Sequence, residues 1–208
     1  MTRAAPFDLV VFLHGAGATG ATLARLGPLW RRRLPGLVFV GPDGPQPFDQ
    51  GEAGRQWYSV KGLTAEGRVA RVAAAAPAFD AIVDTAMATH GAGSERTVLV
   101  GFSQGTIMAL DAVARGRRFA GVIGYAGRLV RPPDRPLDGL PIRLVHGEAD
   151  AVIAVADSEA AHTRLAAAGA RVDLVRLPGE GHGIGPAAVA AGLEFLGEPR
   201  GAGVPRRS

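Results

Sequence analysis

The sequence predicts an α/β protein: a mostly parallel central sheet of about six or seven strands with helices on both faces. Three observations carry this. Apolar runs alternate with amphipathic stretches along the whole chain. The runs are continuous in Val, Ile and Leu, the pattern of strands covered on both faces. Glycine-rich turns follow several of the runs, where an open α/β sheet builds its sites. With 208 residues, 47% hydrophobic and 20% charged, the chain suits one domain with a sizeable core. That domain is expected over 1–196, with a flexible basic tail over 197–208.

The elements follow in order. "FDLVVFLH" (7–14) reads as a buried strand and "LVFVGPDGP" (37–45) as a second, stopped by turn residues. "RTVLVGFS" (96–103), "FAGVIGYAG" (119–127), "IRLVHGEAD" (142–150) and "ARVDLVRLPG" (170–179) supply four more. Phe79, Ile82, Val83, Ala86 and Met87 recur at helical spacing, with Pro77 at the expected start and Gly91 past the end. Ile107, Leu110 and Ala114 mark a second helix. Residues 156–168 make a third, ended by Gly169, and Pro186 opens the last, with Val189, Leu193 and Leu196 on one face. Residues 45–70 lack clear periodicity and are expected to form a loop covering the substrate. There is no internal repeat.

Composition excludes several function classes. The net charge is +4, about half of it in the tail, and Lys61 is the only lysine. No basic stripe interleaved with aromatics is present, so nucleic acid is not an expected partner. Without cysteines there is no disulfide, thiolate metal site or cysteine nucleophile. The N-terminal apolar run Leu9–Leu13 is too short for a signal-peptide core, and no apolar run approaches membrane-spanning length. The expectation is a cytoplasmic protein, monomer or homodimer, without stable membrane association.

The stretch "VVFLHGAGATG" (10–20) admits two readings. Gly15, Gly17 and Gly20 have dinucleotide-binding spacing, with Asp43 at a distance suited to a ribose hydroxyl. The same residues contain His14-Gly15-Ala16-Gly17, a loop of the oxyanion-hole kind. Asp43 follows Gly41-Pro42, in a turn beyond the strand, and Thr19 and Thr22 suit a helix start better than a helix interior. Both details favour the second reading, which leaves Gly20 as a turn residue.

Gly101-Phe102-Ser103-Gln104-Gly105 fits G-x-S-x-G between a strand and a helix, the context of a nucleophile elbow. A serine nucleophile needs a base, and the base an orienting acid. In this architecture the chain order is Ser, acid, His. Asp150 follows a strand end and is the candidate acid, with Glu148 its rival; Asp157 suits a helix start and Asp173 lies within a strand. His182 sits in "PGEGHGIGP", after the last strand, and is the candidate base. His162 is mid-helix, His90 ends a helix, and His146 precedes the acid and suits a structural hydrogen bond. The amides of Ala16 and Gln104 are the candidate oxyanion donors. Gly15, Trp57, Tyr58 and Val152 are expected at the substrate pocket. No cofactor or metal is called for.

Taken together, "FLHGAGATG", "GPDGP", "RQWYSV", "GFSQGTIMAL", "HGEADAVIAV" and "GHGI" resemble the acyl-protein thioesterase / phospholipase–carboxylesterase family of α/β-hydrolases, in particular its compact bacterial carboxylesterases. The resemblance implies an α/β-hydrolase fold, here with its N-terminal hairpin reduced or absent. It implies Ser103 as nucleophile, Asp150 as acid, His182 as base and Ala16 and Gln104 as oxyanion donors. It implies hydrolysis of small-molecule esters or thioesters, with short to medium acyl chains expected because no Leu-rich lid is visible. The acyl-protein thioesterase and lysophospholipase activities of the group are the alternatives. A catalytically silent ligand-binding scaffold and an NAD(P)-binding protein are the readings from other classes. The chain departs from the family at Ala18, where the loop carries an acid, at Ala154, where a proline is usual, and at Gly105-Thr106, where a glycine pair is usual.

Overall fold

The computed structural model describes residues 7–198. Six strands, β1 (Leu9–Leu13), β2 (Val38–Val40), β5 (Thr97–Phe102), β6 (Gly121–Tyr125), β7 (Pro141–Gly147) and β8 (Arg171–Leu177), form one sheet, numbered with the two-strand pair β3 (Gln46–Pro47) and β4 (Arg55–Gln56) that stands apart from it. The sheet order is β2-β1-β5-β6-β7-β8 and every pairing is parallel. Parallel neighbours need covered crossovers. These carry α1 (Gly20–Ala24), α2 (Leu26–Arg31), α3 (Ala65–Thr89), α4 (Gln104–Ala114) and α5 (Val155–Ala167), with α6 (Pro186–Gly197) following β8.

Two cores result, one on each face. Leu9, Val11, Leu13 and Leu99 pack beneath α3, α4 and α5; Val10, Phe12, Val98 and Val100 pack against Trp30 of α2 and Phe195 of α6. Alternate residues of one strand thus serve opposite layers, so β1 and the first part of β5 read as unbroken apolar runs. This is the α/β-hydrolase architecture, with six strands in the sheet. Among the described residues no antiparallel strand precedes β1, and the expected tail from 199 on lies outside them.

Three expectations are corrected. Pro77 does not open the helix that contains it. Helix α3 begins twelve residues earlier, capped by the Thr64 hydroxyl accepting from Gly67 N–H, and Pro77 lies inside it. The buried positions Val72, Ala75, Ala76, Phe79, Val83 and Met87 outweigh the local penalty of an interior proline. Second, the irregular stretch is therefore shorter than 45–70: it ends at Thr64 and contains the β3–β4 pair. Its helical part has no clear sequence signature because Ala and Gly at 65, 67, 70 and 73–76 blur the apolar period. Third, α3, at 25 residues, is long and apolar enough to cross a membrane by length and composition alone. Its apolar face is spent on the core, against β1 and α4.

Candidate active site

The sheet order reverses at β1 and β5: the chain runs from β1 outward to β2, and from β5 outward through β6 to β8. Loops leaving the C-terminal ends of such a pair diverge and open a crevice. Ala16 lies just past β1 and Ser103 just past β5, one on each side of it.

Ser103 occupies the tight turn from β5 into α4. Its backbone has φ 51° and ψ −113°, an uncommon conformation for a residue with a side chain. The turn holds because Ser103 N–H donates to Tyr125 O (2.9 Å) and its carbonyl starts the helix by accepting from Ile107 N–H (3.1 Å). The flanking glycines are required by approach: a Cβ on Gly105 would collide with the Leu13 carbonyl, and one on Gly101 with the backbone of Thr106. This contact presses the elbow against the loop after β1.

Ser103, Asp150 and His182 are brought together from three strand ends. The Ser103 hydroxyl donates to His182 Nε2 (3.0 Å), and His182 Nδ1–H donates to Asp150 Oδ2 (2.7 Å). This fixes the imidazole tautomer. Asp150 Oδ1 accepts from the amides of Val152 (2.8 Å) and Ile153 (2.9 Å). Burial pushes the Asp150 carboxyl up, but donation from Ile153, His182 and Val152 outweighs it and holds the group below its ordinary 3.8. Glu148, the rival acid, is exposed and lies beside Arg176. His146 is buried, with Nε2–H facing Ile153 O (2.8 Å) and Asp150 Oδ2 (3.2 Å) and Nδ1 facing Ser158 Oγ (2.6 Å).

The loop after β1 is set by contacts that the sequence pattern did not show. His14 is buried: its Nδ1–H donates to Gly15 O (2.7 Å), its Nε2 accepts from Gly44 N–H (2.8 Å), and its carbonyl accepts from Trp57 Nε1–H (2.9 Å). Burial holds the His14 imidazole below its usual range and so neutral. The Gly17 and Ala18 amides are taken by Arg55 O and Gly15 O. The Ala16 and Gln104 amides have no acceptor among the described residues. Gln104 also works through its side chain, accepting from Trp57 N–H (2.7 Å) and donating to Tyr58 O (2.7 Å).

A cavity of about 450 Å³ opens at Ser103 and His182, and Gly15, Ala16, Gln104, Tyr58 and Val152 line it. Trp57 does not. It is 1% exposed, packed on His14 and Phe79 beneath the loop, because its indole N–H is spent on the His14 carbonyl. Phe48, Phe102, Arg68 and Arg128 also line the cavity; Phe48 and Arg68 belong to the stretch expected to cover the substrate and Phe102 to the G-x-S-x-G motif, but none of the four was individually marked by the sequence. The dinucleotide reading fails locally. Asp43 Oδ1 accepts from Gly20 N–H (2.7 Å) at the start of α1, so its carboxylate is already engaged. Gly20 is no mere turn residue either: it opens α1 and packs so closely on Gly41 that neither tolerates a Cβ.

Comparison with known proteins gives a consistent result. A family profile described as phospholipase/carboxylesterase matches residues 2–198. Esterase YpfH of Escherichia coli is 34% identical over 190 residues, covering 91% of this chain and 82% of that protein. An acyl-protein thioesterase 1 homolog of Dictyostelium discoideum is 24% identical over 199 residues, covering 90% of this chain and 88% of its own. The crystal structure of esterase PE8 superposes with a TM-score of 0.84 at 33% identity, covering 92% of each chain.

Proposed function

Because the chain belongs to the phospholipase/carboxylesterase family, we propose that it is a serine hydrolase of small-molecule carboxylic esters with Ser103 as nucleophile. The observation that carries the assignment is the unbroken Ser103–His182–Asp150 hydrogen-bond chain at the mouth of the cavity.

In this reading His182 Nε2 takes the hydroxyl proton as Ser103 Oγ bonds to the substrate carbonyl carbon. The carbonyl oxygen becomes an oxyanion, met by the amides of Ala16 and Gln104. The tetrahedral species collapses, the bond to the leaving oxygen or sulfur breaks, and His182 returns the proton to the departing alcohol or thiol. Water then attacks the acyl-enzyme by the same route and frees the acid. Asp150 keeps Nδ1 protonated and stabilises the imidazolium that forms.

The cavity of about 450 Å³ suits short to medium acyl groups. Thioesters are a second substrate type, favoured by the thioesterases among the relatives. The test is turnover of p-nitrophenyl esters and acyl-thioesters of graded chain length by wild type and Ser103→Ala. Wild type is expected to turn over the short and medium members, and the variant to lose about 10⁴-fold or more. Equal rates for the two proteins would refute the assignment.

A further inference from the structure

Among the described residues, the cavity at Ser103 is lined by two guanidinium groups, Arg68 of α3 and Arg128 after β6, and by no carboxylate. The rest of its wall is mainly apolar, including Tyr58, Val60, Leu63 and Ile107. Two cations in one small, largely apolar cavity repel each other and are incompletely hydrated, an arrangement that calls for an anion.

The protein supplies only part of that anion. Arg128 Nη2 lies 3.3 Å from Asp157 Oδ2 at the start of α5, while its Nε is sealed from solvent and has no hydrogen-bond partner among the described residues. Arg68 has no carboxylate within 4.0 Å and no hydrogen bond among the described residues. The buried Asp111 nearby is committed to Arg115 and Arg131, each 2.8 Å away. The phenol of Tyr58, in the same lining, is kept neutral: burial pushes it up to about 12, against the pull of both guanidinium charges. Tyr58 therefore offers no counter-charge.

We propose that the substrate carries an oxyanion, a carboxylate or a phosphate, away from its scissile carbonyl, and that Arg68 and Arg128 receive it. The proposal rests on the esterase reading and narrows it, from esters in general to acidic ones. Guanidinium groups suit it because their planar fork matches both oxyanions.

Three matched pairs test it by kcat/KM. Monoethyl and diethyl adipate place the charge on the acyl side. 4-Butyryloxybenzoate and 4-butyryloxybenzamide place it on the leaving group. 1-Hexanoylglycerol-3-phosphate and 1-hexanoylglycerol replace carboxylate by phosphate. In at least one pair the charged ester is expected to be preferred about tenfold or more, and the pair identifies which oxyanion and which side. In Arg68→Gln that ratio is expected to fall towards one, and in Arg68→Lys to be partly kept. Because Arg128 also holds Asp157, its variant is Arg128→Lys, which keeps the charge and is expected to weaken the preference only partly. Wild type that turns over the neutral esters as well as the charged ones overturns the proposal and leaves the esterase reading standing, as does a ratio that Arg68→Gln leaves unchanged. If no ester is turned over, the esterase reading fails; calorimetric titration of monoethyl adipate and of 1-hexanoylglycerol-3-phosphate into wild type and Arg68→Gln then decides the oxyanion site, and heat of binding absent or equal in both proteins overturns it.

Discussion

His14 illustrates what a single residue settles in this molecule. It is one of five histidines and takes no proposed part in proton transfer, yet its ring and carbonyl tie three segments together around Ala16. His14→Ala would leave the Gly44 amide buried and unpaired, a cost of about 1–3 kcal/mol. It would also free the loop that presents the Ala16 amide. The expected result is a lower urea midpoint together with kcat reduced more than KM is raised; a stability loss with unaltered kcat would contradict the role. At Asp150 the sign of a pH effect can be worked out. Its folded-state pKa lies below the ordinary 3.8, so the ionised group stabilises the native state above that value. The contribution is lost as pH falls from about 3.9 through the folded value. Asp150→Asn is therefore expected to flatten the fall of the urea midpoint below about pH 4, and curves of equal steepness would count against the hydrogen-bonded carboxylate described here.

At the scale of elements, α3 is where sequence and structure part most clearly. Proline reads as a helix start because it lacks an N–H and clashes with the preceding turn. At Pro77 that local rule loses to a buried face extending from Val72 to Met87. The penalty is still carried, so Pro77→Ala is expected to stabilise the protein by about 1–3 kcal/mol. That corresponds to a rise in Tm of about 2–4 °C per kcal/mol for a chain of this size. Scanning calorimetry checks this, and an unchanged or lower Tm would show that the helix is adapted to its proline. Strands β1, β2, β5 and β6 were legible as continuous apolar runs, and β7 and β8 as Val, Ile and Leu runs interrupted by Arg143, His146, Asp173 and Arg176. The elbow was legible because G-x-S-x-G is local, and Gly105 meets Leu13 at a distance no side chain survives. The part of the cavity wall made by Phe48, Arg68, Phe102 and Arg128 was not, because these four meet only through the tertiary fold. Trp57 was equally ambiguous: an aromatic beside a loop is core or pocket according to where its N–H finds an acceptor, and here that acceptor is the His14 carbonyl.

The whole molecule places its chemistry by topology. Strand order reverses between β1 and β5, and the loops that diverge there carry Ala16 and Ser103, while the ends of β7 and β8 deliver Asp150 and His182 to the same side of the sheet. Ser103 and His182, 79 positions apart in sequence, become hydrogen-bonded neighbours because every strand of the sheet points the same way. The most direct measurement of this arrangement is covalent labelling by a fluorophosphonate, with the modified residue mapped by peptide mass spectrometry in wild type, Ser103→Ala and His182→Ala. One adduct per chain is expected in the wild type, on Ser103, none in Ser103→Ala, and labelling slowed by orders of magnitude in His182→Ala. Labelling of Ser103→Ala at the wild-type rate, or an adduct on another residue, would contradict this arrangement.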